Sequence, residues 1–144
     1  MDNLTFRNSG EQLVAASIEN LELKLGINLP EQYRLFLLQT NGGIPNKIYF
    51  DVAEQQYVLN DFLSISNSEF SLETYFLDFK KANKSLPHSL IPIAEDAFGN
   101  LICISLDKTD YGRIYFWEHE EGGIRLLTND FDEFLNLLHE DDEE

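Results

Sequence analysis

The chain has 144 residues, enough for one domain that buries roughly 70% of the surface its unfolded form exposes. Apolar residues make up 43% of it, with 11 Phe and 6 Tyr, which supplies a core and excludes global disorder. Against 10 basic residues stand 26 acidic ones, and the resulting charge of −16 repels phosphate backbones and anionic lipid, which disfavours direct nucleic-acid or membrane binding; the charge either draws in a basic protein or serves solubility alone.

Ser9, with Gln12 three residues on, reads as a capping box, after which Val14, Ile18, Leu21 and Leu25 recur at helical spacing up to Gly26. Pro30 suits the first position of a second helix. Tyr33, Phe36, Leu37 and Thr40 follow along one side of it, and Asn41-Gly42-Gly43 supplies the stop. Residues 48–52 and 57–65 are rich in aromatic and branched side chains and read as strands, separated by the polar Glu54-Gln55-Gln56. From Ser71 to about Asn83 the helical period returns in Leu72, Tyr75, Phe76 and Phe79, and Pro87 bars its extension.

Four short apolar runs come next, 91–94, 101–106, 113–118 and 124–128. Phe98-Gly99-Asn100, Tyr111-Gly112 and Gly122-Gly123 punctuate them, the pattern of an antiparallel meander. A last helix starts near Asn129 or Asp130 with Phe131, Phe134, Leu135 and Leu138 on one face. The expected class is α+β: helices packed on one side of a mostly antiparallel sheet, with two N-terminal helices, a middle helix and a C-terminal helix. Residues 1–139 read as a single domain and 140–144 as an acidic, disordered tail. The charge is uneven, since residues 95–144 hold 15 acids and 3 bases (net −12) and residues 1–94 hold 11 acids and 7 bases (net −4).

The single Cys103 has no partner for an internal disulfide, the first residues lack a basic segment followed by an apolar run, and no stretch reaches membrane-spanning length. The expected compartment is the cytoplasm.

Leu25-Gly26-Ile27-Asn28-Leu29-Pro30-Glu31-Gln32-Tyr33, followed by Phe36-Leu37 and Thr40-Asn41-Gly42-Gly43, resembles the opening of the SUKH superfamily. Ile91 to Ile102 resembles its central segment, Gly112 to His119 its later strand, and Phe131-Asp132-Glu133-Phe134-Leu135 its terminal helix. The four pieces lie in order over about Ile18 to Leu138, while Tyr49 to Ser89 matches only loosely. The resemblance implies a non-enzymatic domain with no cofactor. Bacterial members are similar to immunity proteins that bind and block toxins, many of them nucleases, and other members are regulatory or scaffold domains. An acidic inhibitor suits a basic toxin, because it is steered to the groove meant for nucleic acid.

Alternation along the 113–119 strand puts Ile114, Phe116 and Glu118 on one face and Arg113, Tyr115, Trp117 and His119 on the other. If helices cover only the first face, Tyr115 and Trp117 lie on a partly open surface suited to a partner; if both faces are covered, they are buried. Tyr111, in a turn, is the stronger candidate for exposure. Around this strand the loops carry Glu95 and Asp96, then Asp107 and Asp110, then Glu118, Glu120 and Glu121. These acids and aromatics are the candidate partner-binding residues. Successive meander loops fall at opposite ends of a sheet, which leaves open two acidic patches rather than one.

An enzyme is the competing class, and its candidates are sparse. His88, His119 and His139 sit in no metal-ligand spacing, and Cys103 lies mid-strand, where a free thiol behaves as a small apolar group. Glu95 and Asp96 are adjacent, so their side chains diverge, and Gly42-Gly43 lacks the Lys-Ser/Thr of a phosphate loop. The sequence therefore predicts no catalytic set and no metal site.

Overall fold

The computed structural model describes residues 4–65, 71–79 and 86–141. Helix α1 (Ala15–Leu25) buries Ile18 and Leu21 on one face and ends at Gly26, whose φ of 69° lets its N–H return to the Glu22 carbonyl. Its start differs from the expected box at Ser9. The Ser17 hydroxyl instead accepts the Val14 N–H at 3.2 Å, while the Ser9 hydroxyl is drawn to the Gly42 carbonyl at 2.9 Å. Helix α2 (Glu31–Gln39) begins one residue after Pro30, whose carbonyl accepts from the Tyr33 and Arg34 N–H groups.

The Asn41-Gly42-Gly43 stop has a packing reason. Asn41 is buried, donates to the Glu11 and Ile65 carbonyls, and accepts the Ile65 N–H at 2.8 Å. Gly42 sits at φ 70°, and a β-carbon there would come within 2.7 Å of the Phe62 carbonyl oxygen. Beside this turn lies a small sheet that sequence periodicity does not announce, strands β1 (Phe6–Arg7) and β2 (Ile44–Pro45), paired antiparallel.

The main sheet is a six-stranded antiparallel meander whose spatial order equals its chain order: β3 (Tyr49–Val52), β4 (Gln55–Phe62), β5 (Leu90–Asp96), β6 (Leu101–Ser105), β7 (Ile114–Trp117) and β8 (Ile124–Thr128). All six runs read as strands from the sequence are strands. Between β4 and β5 lies α3 (Leu72–Thr74), capped by the Ser71 hydroxyl and running on as a π-helical segment, Tyr75–Phe79. The expected continuation of this helix toward Asn83 lies outside the described residues. Helix α4 (Phe131–Leu137) starts where expected, with the Asp130 carboxylate accepting the Glu133 N–H at 2.9 Å. Glu140 and Asp141 of the acidic end are exposed, and 142–144 lie outside the described residues.

Two clusters hold the fold together, and the alternation of β6 and β7 separates them. The larger lies between the sheet and α1, α2 and α4. In it Ile102, Ile104, Ile114 and Phe116 meet Ile18, Tyr33, Phe36, Phe131 and Phe134. Phe36 is its hub, with ring centroids 5.1 Å from Phe62 and 5.0 Å from Phe131. The smaller cluster, on the opposite face, gathers Leu86, Leu90, Leu101, Cys103 and Trp117, with Tyr75 of the π-helical segment and Tyr115 packed against it.

The sheet's two edges differ. Outside β3, His139 exchanges backbone hydrogen bonds with Tyr49 at 2.9 and 3.1 Å, and the exposed Asp51 adds a charge. Among the described residues β8 pairs only with β7 and leaves Ile124, Arg125 and Leu126 exposed.

Candidate protein-binding surface

The antiparallel register sends the candidate loops to two ends of the sheet. The β5–β6 and β7–β8 turns share one end with the β3–β4 turn, and the β6–β7 loop lies at the other. The acidic candidates are thereby split, with Glu95, Asp96, Glu118, Glu120 and Glu121 toward the first end and Asp107 and Asp110 at the second.

At the first end two of the candidates are interior. Trp117 has no exposed surface, because Leu86, Leu90, Leu101 and Cys103 close over its ring. The alternative of an open aromatic face is thus corrected for Trp117, since both faces of the sheet are covered here. Asp96 is only 3% exposed, and its carboxylate accepts from the Phe98 N–H (2.9 Å), the Asn100 N–H (2.8 Å) and the Asn100 side-chain amide (2.8 Å). It shapes the turn instead of facing a partner. Asn100 in turn accepts the His119 N–H at 3.1 Å, and the His119 ring lies over Gly99, so one chain of contacts fixes both turns.

The side chains standing out at this end are Phe98, 69% exposed, with Glu120 and Glu121, while Glu118 is half-buried. Gln55, Gln56, Tyr57, Phe98, Glu118 and Glu120 line a groove of about 560 Å³. Phe98 is a surface aromatic that the sequence reading absorbed into a turn. Its signal was available: a large apolar residue at the tip of a hairpin has no core within reach.

At the second end Asp110 accepts the Ser105 and Tyr115 hydroxyls, each at 2.6 Å, and these two bonds hold its carboxyl below the ordinary range. The same bond pushes the Tyr115 phenol up and holds it half-buried. Asp107 accepts from the Thr109 N–H and hydroxyl at 3.0 Å. Tyr111 is exposed, as expected, yet its hydroxyl donates to the Asn28 carbonyl at 2.6 Å and ties this loop to the α1–α2 connection.

Glu95 belongs to a cluster that sequence reasoning missed. It lies opposite Asp61 across β4 and β5, accepts the Tyr75 hydroxyl at 2.8 Å, and shares the Asn60 amide with Asp61, both at 3.3 Å. Burial, and then the Glu95 charge beside it, push the Asp61 carboxyl up to about 7. Only the strand register brings these residues together, and a β-bulge between Leu59 and Asp61 sets that register.

Among the described residues no group of three or more His, Cys, Asp and Glu side chains is placed to hold a metal ion, and no helix is long and apolar enough to cross a membrane. Cys103 is buried within the smaller cluster. The model of the SMI1 / KNR4 family (SUKH-1) matches residues 13–137, which takes in every strand of the main sheet and every helix among the described residues. The chain is also similar to the SPbeta prophage-derived uncharacterized protein YokK of Bacillus subtilis (strain 168), 29% identical over 154 aligned positions that cover 91% of this chain and 74% of that protein.

Proposed function

Because the chain belongs to the SMI1 / KNR4 (SUKH-1) family, whose members are generally non-catalytic immunity or regulatory domains, we propose that it is an immunity protein that binds and neutralises a basic toxin. The observation that carries this reading is the placement of its charge. A net −12 lies in residues 95–144, and Glu118, Glu120 and Glu121 stand in the turn of the β7–β8 hairpin, whose β7 strand is packed on both faces, Phe116 in the larger cluster and Trp117 in the smaller. A toxin that handles nucleic acid must present a basic groove, and a rigid acidic tip steers toward such a groove and occupies it. The chain does this in the cytoplasm, where its buried Cys103 stays reduced.

The test pairs the purified protein with the toxin domain encoded beside it. Expected is a tight, salt-sensitive complex that abolishes the toxin's activity, with no substrate turned over by this chain. A toxin that neither binds nor is inhibited removes the immunity reading and leaves a regulatory or scaffold module, whose partners are housekeeping or surface-assembly proteins.

A further inference from the structure

We propose that docking is confined to the end of the sheet where the β3–β4, β5–β6 and β7–β8 turns converge, and that its occupant is a cationic protein segment laying an arginine over Phe98. This deepens the binding role above and rests on it. Glu95 and Asp96 being bonded within the fold, the two ends differ in whether the carboxylates of their outer loops are already engaged. At the β6–β7 loop, Asp110 accepts two hydroxyls and Asp107 accepts from Thr109, with Lys108 and Arg113 alongside to offset their charge. At the opposite end, none of the three turns contains Lys or Arg. Among the described residues the Glu118, Glu120 and Glu121 side chains make neither hydrogen bonds nor ion pairs. A cation arriving there displaces water alone; at the other end it competes with bonds already formed.

Shape supports the same end. The groove of about 560 Å³ is lined by Phe98 together with Glu118, His119 and Glu120, and so combines what a guanidinium requires: an aromatic face to stack on and carboxylates to accept its N–H groups. Phe98 is 69% exposed and contributes little to the core, which suits an anchor for a partner. The buried chain from Asp96 through Asn100 to His119 holds the turns in place beforehand, so little ordering cost falls on binding.

The experiment is an NMR titration of the isotope-labelled chain with a short oligo-arginine peptide at low salt. Expected are saturating amide shifts greatest at Tyr57, Phe98 and Glu118 to Glu121. Phe98→Ala should weaken the peptide about three- to fivefold, with Asp107→Lys within twofold of the parent. Both substitutions are at exposed positions, and dispersed spectra verify folding. Shifts centred on Asp107 to Tyr111, shifts spread evenly over all acids, or an unchanged affinity in Phe98→Ala overturn the proposal. A peptide that seats in this groove while the neighbouring toxin is neither bound nor inhibited instead defeats the immunity reading alone.

Discussion

Tyr33 and Asp61 each hold a polar group away from water, and each makes a measurable demand on stability. Tyr33 is fully buried against Phe36 and Phe131, and among the described residues its hydroxyl has no hydrogen-bond partner. Tyr33→Phe should therefore raise unfolding stability by about 1 kcal/mol, measured by chemical denaturation, because it removes an unsatisfied group and keeps the ring. Asp61 behaves differently. Its carboxyl titrates near 7 in the fold and near 4 when unfolded, so between those values the folded chain holds the extra proton and stability falls as pH rises. Asp61→Asn should gain on the parent over about pH 4 to 7, by on the order of 1 kcal/mol after allowance for partial exposure. Thermal melts of both proteins across that range check it, and a constant offset at all pH values would contradict it.

Elements were legible in the sequence where one periodicity ruled, and illegible where tertiary contacts chose. The six strands and α4 follow from alternation, turn residues and the cap at Asp130, all local in origin. Ser9 carries the local pattern of a cap, yet its hydroxyl is satisfied by Gly42, a partner thirty-three positions away that no window contains. The β1–β2 ladder, whose pairs Arg7–Ile44 and Phe6–Pro45 are 37 and 39 positions apart, escapes for the same reason. Among the site residues, sequence placed Tyr111 on the surface correctly and left open whether the acids form one patch or two. It left Trp117 open, because its covering, Leu86, Leu90 and Tyr75, comes from outside its own hairpin. The Asn41-Gly42-Gly43 turn joins α2 to the sheet through close backbone approach, so Gly42→Ala should cost several kcal/mol. A Cβ 2.7 Å from the Phe62 carbonyl meets backbone, which does not yield as a flexible side chain would. A melt within a degree or two of the parent would remove that role.

At the scale of the whole molecule, the proposed complex divides the work between the net charge, which would set how fast a partner arrives, and the groove, which would set how long it stays. Reversing Glu120 and Glu121 to Lys should slow association with the basic toxin about five- to tenfold at low salt, with the difference shrinking as salt screens it. Stopped-flow mixing at two ionic strengths reads this directly, and an unchanged on-rate at low salt excludes both residues from the encounter. The unequal edges of the sheet bear on self-association. A sheet with two open edges can recruit copies without limit, as fibres do, whereas here His139 bars one side at Tyr49 and Asp51 keeps it charged. Copies meeting through β8 would place the two blocked edges outermost, so growth by strand pairing terminates at a two-fold pair. The backbone bridge between His139 and Tyr49 thereby closes that side of the sheet to strand addition at this position.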